Sequence, residues 1–196
     1  MIKYSQLGQD QFVLSFFSKD YKGIFVDIGC SFPDDLNNTL RLEENGWSGI
    51  SLDCEDYRER WEKERQTPFI WNDALTLNYQ QIFEDYDLPK IIDYLTIDIE
   101  GNGQRFQALT KIIDSGYNFK IITIEHDVYR GYELTEQKPQ REYLKNKGYF
   151  LLCANVSLYS PLEDWWINTQ YFNINDYSHL ICENTECVDI LKRIKT

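Results

Sequence analysis

Residues 24–29 read IFVDIG, a short apolar run that ends in an acid and a glycine. Similar runs, most of them ending in acidic residues, occur at residues 48–55 (SGISLDCE), 68–74 (PFIWNDA), 91–100 (IIDYLTIDIE) and 119–126 (FKIITIEH). Near-continuous apolar runs of about four to eight residues are typical of strands buried on both faces, as in parallel sheets. We therefore predict strands at all of these positions, with a sixth at residues 149–156 and a seventh at 165–172.

Segments with helical spacing alternate with these strands. They lie at residues 9–19, 38–45, 56–65, 79–86, 103–115, 135–147 and 185–194. The alternation predicts a right-handed, mostly parallel α/β sandwich of three layers, with helices on both faces of the sheet. No linker rich in Pro, Gly or Ser interrupts the pattern, so we expect residues 1–196 to form one domain, with the sheet core over about 24–172.

Acidic residues follow one strand after another. They are Asp27, Asp53, Glu55, Asp73, Asp98, Glu100, Glu125 and Asp127. Ligands of open α/β sheets bind at the carboxyl ends of the strands, and a buried carboxylate without a partner is costly. Any one of these acids could instead cap the helix that follows it. Their recurrence at five strand ends indicates a shared polar crevice.

The turn after the first strand, residues 29–33 (GCSFP), contains one glycine. A dinucleotide site of the G-x-G-x-x-G type uses three, which let the backbone approach a pyrophosphate. S-adenosylmethionine (SAM) carries adenosine but no phosphate, so it suits this turn better. Glu55, which lies 26 residues after Gly29, is placed to accept ribose hydroxyls. Asp73 can accept from the adenine amino group, and Asp27 can meet an ammonium group.

The sequence resembles the FkbM family of SAM-dependent methyltransferases. The resemblance covers about residues 4–156 and rests on the segments SQLGQD (5–10), FVDIGC (25–30), NNT (37–39), LEENGWSGI (42–50), LDCE (52–55), NDA (72–74), DIEG (98–101) and IEH (124–126). It implies a Rossmann-like class I methyltransferase fold with a seventh, antiparallel strand at the edge of the sheet. It also implies methyl transfer to a hydroxyl, often that of a sugar. The turn at residues 31–33 departs from the general motif, because it is less rich in glycine.

The resemblance implies that SAM is bound by FVDIGC, by the acids of LDCE and by NDA. Together with the strand-end acids and the other family-like segments, it defines an expected cofactor-binding set. The members are Gln6, Gln9, Asp27, Gly29, Ser31, Asn38, Asp53, Glu55, Asp73, Ala74 and Asp98.

Methyl transfer to a hydroxyl requires a general base or a metal ion, because the nucleophile is weak until it loses its proton. His126 is the expected base, since its ordinary pKa lies near neutrality, and Asp98 and Glu125 are expected beside it. The alternative is Mg²⁺ or Mn²⁺ held by Asp98, Glu100 and Glu125, whose hard oxygen atoms suit such ions. Trp165 either stacks on a sugar ring or packs in the core.

The net charge is −12, and Lys and Arg form no strong stripe. This charge argues against a nucleic-acid partner and favours a neutral or cationic small molecule or glycan, with a sugar first. The sequence lacks both an apolar run long enough to span a membrane and a signal peptide, so we expect a soluble, cytoplasmic protein. The five cysteines are expected to be free thiols in a reducing compartment.

Three other functions remain open from the sequence. The acceptor can be another small molecule or a protein. The sheet can belong to an enzyme that uses NAD or a nucleotide sugar. The chain can also be a binding module without activity. The oligomeric state stays open as well.

Overall fold

The computed structural model describes residues 4–194, which form a sheet of eight strands in the order β3-β2-β1-β4-β5-β7-β6-β8. The strands are β1 (Ile24–Ile28), β2 (Ser48–Asp53), β3 (Phe69–Trp71), β4 (Ile91–Ile97), β5 (Asn118–Glu125), β6 (Tyr149–Ser157), β7 (Pro161–Asn168) and β8 (Cys182–Glu183). The first five strands are parallel to one another, and β7 runs antiparallel to both β5 and β6. The predicted α/β class with a mostly parallel sheet is confirmed.

The sheet differs from the prediction in its last strands, since the antiparallel β7 lies between β5 and β6 and not at the expected edge. The seventh strand was expected at residues 165–172 but occupies Pro161–Asn168, because its antiparallel pairing with β5 places Glu163 opposite Glu125. The eighth strand was not expected. It has two residues and pairs in parallel with β6, which is too short for any hydrophobic periodicity to show.

Seven α-helices lie before, between and after the strands within residues 4–194. They are α1 (Gln9–Leu14), α2 (Leu40–Glu44), α3 (Arg58–Glu64), α4 (Tyr79–Asp85), α5 (Gln104–Ile113), α6 (Lys138–Asn146) and α7 (Cys187–Ile194). Helix α1 ends well before the predicted residue 19, and a π-helical turn at Glu133–Gln137 precedes α6. A 3₁₀ segment at Ile174–Leu180 was also not predicted. None of the described helices has the length and apolar character needed to cross a bilayer.

The core lies on both faces of the sheet, as the continuous apolar strands predict. In β1, Val26 packs in the cluster that contains residues of α4, α5 and α6, while the neighbouring Phe25 packs with α1, α2 and α7. Trp165 and Trp166 alternate in the same way and are fully buried. These indoles therefore pack in the core and do not face a sugar-binding surface.

Gly29 sets how closely β1 and β4 approach each other at their carboxyl ends. Its φ is +83°, and a Cβ placed there would lie 2.0 Å from the carbonyl oxygen of Asp98. The Gly29 N–H donates to the Leu52 carbonyl oxygen at 2.8 Å, and the Asp98 N–H donates to that of Ile28 at 2.8 Å. The ends of β1, β2 and β4 are thus held together around a position that only glycine can fill.

Gly29→Ala is expected to lower the free energy of unfolding by about 3 kcal/mol, because a positive φ and a clash with backbone act together. Gly116→Ala is the matched control, since Gly116 has φ +84° and open space around its Cβ position. It should lose only about 1 kcal/mol, the strain of the backbone conformation alone. Urea unfolding of both variants measures the difference, and equal losses would contradict the close approach of β1 and β4.

Candidate functional site

Two adjoining cavities open at the carboxyl ends of β1, β2 and β4. The first has a volume of about 320 Å³ and the second of about 680 Å³, and both are lined by Gly29, Ser31 and Asp98. We call the two together the cleft. It lies where β1 has β2 on one side and β4 on the other, so that the chain order reverses there. This is the position at which open α/β sheets bind their ligands.

The first cavity collects residues from the N-terminal segment and from the turn after β1. The predicted residues that line it are Gln6, Asp27, Gly29, Ser31, Asn38 and Asp98. The second cavity holds the remaining strand-end set. The predicted residues that line it are Gly29, Ser31, Asp53, Glu55, Asp73, Ala74, Asp98 and Glu100.

Asp27 is a buried carboxyl at the base of the first cavity. It is 1% exposed and accepts a hydrogen bond from the Thr39 hydroxyl at 2.7 Å. Burial raises the pKa of Asp27 to about 6, although Thr39 and the charge of Arg65 both act in the opposite direction. A desolvated carboxyl of this kind binds a cation more strongly than an exposed one does.

Asp53 shapes the turns that surround the second cavity. One of its carboxylate oxygens accepts from the Ser31 N–H at 2.8 Å, and the other accepts from the Glu55 N–H at 2.9 Å. The side chain of Glu55 is exposed and lines the cavity. Asp73 is exposed too and accepts from the Leu75 N–H at 2.8 Å, which folds the turn after β3. Asp53 therefore orders the backbone, while Glu55 is available to a ligand.

Asp98 lines both cavities and is hydrogen-bonded to Glu125 at the end of β5. Burial raises the pKa of Asp98 to about 6, and the hydrogen bond that Glu125 donates acts in the opposite direction. Burial and the neighbouring Asp98 raise the pKa of Glu125 to about 9, although Arg105 lies 2.7 Å from Glu125. Both pKa values are raised because two neighbouring carboxyls in a desolvated site do not readily ionise together, so the pair titrates as a unit.

Glu163 completes this group of carboxyls from β7. It lies opposite Glu125 in the antiparallel ladder, and it accepts hydrogen bonds from the Trp165 indole and from Gln9 Nε2, the latter at 3.1 Å. Burial raises the pKa of Glu163 to about 8. We call Asp98, Glu125 and Glu163 the carboxyl cluster. The sequence did not indicate Glu163, because its place depends on the register of β7 against β5.

Gln9 is one predicted cofactor ligand that the structure places away from the cleft. Its side chain is buried, donates to Glu163, and accepts from the Leu7 N–H at 3.0 Å. It therefore connects the N-terminal segment to the carboxyl cluster and lines neither cavity.

Arg105, on α5, supplies positive charge beside the cluster. Its guanidinium is fully buried and lies 2.7 Å from Glu125 and 2.9 Å from Asp127. No sequence pattern indicates the role of Arg105, because an arginine on a helix is usually exposed. Its position explains why Glu125 and Asp127 can be buried side by side.

His126 does not reach the cleft, contrary to the expectation that it lies beside the site as a base. Its ring is completely buried, and Nδ1 accepts from the Val128 N–H at 3.2 Å. Nε2 lies 3.5 Å from a carboxylate oxygen of Asp164 and the same distance from Gln137 Nε2. The ring is thus enclosed by β7 and by the π-helical turn, and it lines neither cavity.

The proposed metal ligands do not form a common site. Glu100 has a side chain that is 81% exposed and pairs with Arg130 at 2.9 Å, while Glu125 is engaged with Arg105. Among residues 4–194, no three His, Cys, Asp or Glu side chains converge in a way that could hold a metal ion. The arrangement of Asp98, Glu100 and Glu125 therefore does not fit Mg²⁺ or Mn²⁺.

The cleft is strongly acidic. The carboxyl side chains that line it are Asp27, Asp35, Asp53, Glu55, Asp73, Asp98 and Glu100. Within the described part of the chain, no Lys or Arg lines either cavity. Such a site repels a pyrophosphate and attracts a cation. It therefore suits SAM, which carries a sulfonium and an ammonium group, better than it suits a dinucleotide.

No family model matches this sequence, and a search of curated proteins found no match. Solved structures do match. A TehB-like SAM-dependent methyltransferase from Corynebacterium glutamicum has a TM-score of 0.57 at 12% identity, over 82% of this chain and 86% of that one. The chain has the fold of SAM-dependent methyltransferases. The METTL16 MTase domain has a TM-score of 0.57 at 14% identity, over 86% of this chain and 68% of that one. An rRNA methylase from Streptococcus thermophilus has a TM-score of 0.51 at 17% identity, over 86% of this chain and 98% of that one.

The carboxyl cluster predicts an unusual dependence of stability on pH. The pKa of Glu163 is raised to about 8 in the folded protein, whereas an unfolded Glu titrates near ~4.3. Between these values the folded state binds the extra proton, so the free energy of unfolding falls as pH rises from about 5 to about 8. Glu163→Gln should make this fall shallower by about 1 kcal/mol per pH unit.

Urea unfolding at several pH values between those limits measures the slope. Glu59→Gln is the control, because Glu59 is exposed on α3 and its pKa is lowered by Lys63, so it titrates below the window. Equal slopes for wild type and Glu163→Gln would show that Glu163 is ionised in the folded protein throughout.

Proposed function

We propose that this chain is a SAM-dependent methyltransferase that methylates a hydroxyl of a sugar or glycan, as members of the FkbM family that its sequence resembles commonly do. The observation that carries the proposal is the acidic cleft at the carboxyl ends of β1, β2 and β4, which has no lining Lys or Arg among residues 4–194. The methyltransferase fold supports SAM as the ligand of this cleft.

The lining residues can hold each part of the cofactor. Asp27 and the turn that starts at Gly29 would meet the amino acid end, where the desolvated Asp27 carboxylate attracts an ammonium group. Glu55 would accept from the ribose hydroxyls, because its carboxylate is exposed to the second cavity. Asp73 and the buried Ala74 would border the adenine.

Asp98 is the residue best placed to act as general base. When bound, SAM supplies an electrophilic methyl group. Asp98 faces both cavities and is ionised above about pH 6, so its carboxylate can accept the proton of an acceptor hydroxyl. Glu125, whose pKa is raised, is hydrogen-bonded to Asp98 and orients its carboxyl group. The base assigned to His126 from the sequence is therefore reassigned to Asp98.

The charge of the protein supports a neutral acceptor. The net charge is −12, and a polyanion would meet a cleft lined with carboxylates. Phe32 and Leu36 are exposed at the first cavity, where they offer an apolar surface to a sugar ring. The rRNA methylase shares the fold with this chain, but the acidic cleft favours a small neutral acceptor over RNA.

Calorimetric titration with SAM, S-adenosylhomocysteine and NAD tests the cofactor. Both SAM and S-adenosylhomocysteine should bind, and NAD should not. Glu55→Gln should weaken binding of SAM by about tenfold or more, because a charge-assisted hydrogen bond contributes about 1.5–3 kcal/mol. Glu59→Gln, which changes an exposed carboxylate outside the cleft, should bind SAM as the wild type does. Binding of NAD in preference to SAM would overturn the proposal.

Transfer of labelled methyl from SAM to a panel of monosaccharides and methyl glycosides tests the reaction. With the best acceptor of the panel, Asp98→Asn should lower kcat by about 100-fold or more and leave the affinity for SAM within a few-fold. In the wild type, kcat/KM should rise with pH through about 6, as Asp98 ionises.

His126→Gln is the comparison for the Asp98 variant, since it tests the residue that the sequence favoured. If a folded His126→Gln protein loses as much turnover as Asp98→Asn does, His126 and not Asp98 is the general base. If the labelled methyl group enters proteins or other small molecules but no sugar, the proposed acceptor class is wrong.

A further inference from the structure

The sheet ends at an edge where two cysteines face each other. In the parallel pairing of β6 with β8, Cys153 and Cys182 are direct register partners. Both thiols are free, and the Cys153 thiol donates to the Leu180 carbonyl oxygen at 3.4 Å. Adjacent strands lie about 4.8 Å apart, which is within the range of Cα separations that a disulfide spans. Since β8 has only two residues and forms the edge of the sheet, it can adjust its position to a new bond.

The two thiols differ in access and in acidity. Cys153 is fully buried, whereas Cys182 is partly exposed. The neighbouring Cys153 thiol lowers the pKa of Cys182 to about 7, although burial acts against this change. The neighbouring Cys182, together with burial, holds the pKa of Cys153 well above its ordinary range. Cys182 is thus the accessible thiol with thiolate character, and Cys153 is the protonated partner beside it.

We propose that Cys182 and Cys153 form a reversible disulfide when the protein meets a hydroperoxide, with Cys182 as the thiol that reacts first and Cys153 as the one that resolves it. This site is separate from the proposed methyl-transfer site, since neither cysteine lines the cleft.

The reaction balances in two steps. The Cys182 thiolate attacks a peroxide oxygen, so that an S–O bond forms, the O–O bond breaks, and hydroxide leaves and takes up a proton to become water. Cys153 sulfur then attacks the sulfur of the sulfenic acid, so that the S–S bond forms, the S–O bond breaks, and a second water leaves with the Cys153 proton. Two electrons pass from the two sulfurs to hydrogen peroxide.

The bond would fix a segment that supports one wall of the cleft. Strand β8 leads into α7, and Leu191 of α7 packs against Gly8, where a Cβ would lie 2.6 Å from Leu191 Cδ1. Gln6, two residues before Gly8, lines the first cavity. The disulfide would therefore tie α7, and through it the N-terminal segment, covalently to β6.

Treatment of the full chain with equimolar hydrogen peroxide, followed by a count of free thiols under denaturing conditions, tests the proposal. The count should fall from the five cysteines of the sequence to three, and dithiothreitol should restore it. Cleavage with trypsin and a Glu-specific protease, which cuts after Glu163, Glu183 and Glu186, separates Cys153, Cys182 and Cys187 into different peptides. The Cys153 and Cys182 peptides should then appear as one linked species, lighter by two hydrogen atoms.

Two variants define the order of the reaction. In Cys153→Ala, dimedone should trap a sulfenic acid on Cys182, because the resolving thiol is absent. Cys54→Ser is the control, since Cys54 is exposed and distant from β8 in sequence, and it should form the same disulfide as the wild type. If Cys182 is oxidised to sulfinic acid while Cys153 remains a thiol in the wild type, or if Cys182 links to Cys187, the proposal is wrong. The peptide map of the wild type decides this even if Cys153→Ala does not fold.

Discussion

The close approach of β1 and β4 at Gly29 is the constraint on which the site depends. The backbone of Gly29 lies so near the Asp98 carbonyl group that a side chain has no room. Hydrogen bonds from Gly29 to β2 and from Asp98 to Ile28 then keep the three strand ends level. Because the ends are level, the residues that follow β1, β2 and β4 surround one cleft. Without this register, Asp27 and Asp98 would lie at different depths and would not line one cavity.

The register brings acids together, and the protein handles their charge in two ways. Asp53 and Asp73 are partly or fully exposed and accept backbone N–H groups, so they shape turns. Asp27, together with the carboxyl cluster defined above, is desolvated instead. Burial raises their pKa values, because binding a proton costs less free energy than keeping an uncompensated charge buried. The buried Arg105 offsets Glu125 and Asp127 and leaves Asp98, at the cleft, without an ion pair of its own in the described structure.

The sequence predicted the fold and most of the cleft lining, because both follow from a simple pattern. Apolar runs that end in acids determine the strands, and parallel strands carry their ends to one edge. The sequence could not predict contacts that depend on antiparallel pairing or on side-chain rotation. Glu163 joins the carboxyl cluster through the register of β7, and His126 rotates into the interior beside Asp164. Gln9 was predicted to bind the cofactor, but its side chain binds Glu163 and does not line the cleft.

The strand-end acids could instead cap the helices that follow them, but Asp98 does not have this role at α5. This helix begins after Gly103, which offers no side chain as a cap. The first-turn N–H groups of Arg105 and Phe106 donate instead to the carboxylate of Glu136, at 3.2 and 2.9 Å, from the π-helical turn far along the chain. Asp98 is therefore not needed to cap the helix that follows it. A distant acid satisfies the helix, and this leaves the carboxylate at the end of β4 to face the cleft, where the proposed methyl transfer to a hydroxyl needs a proton acceptor.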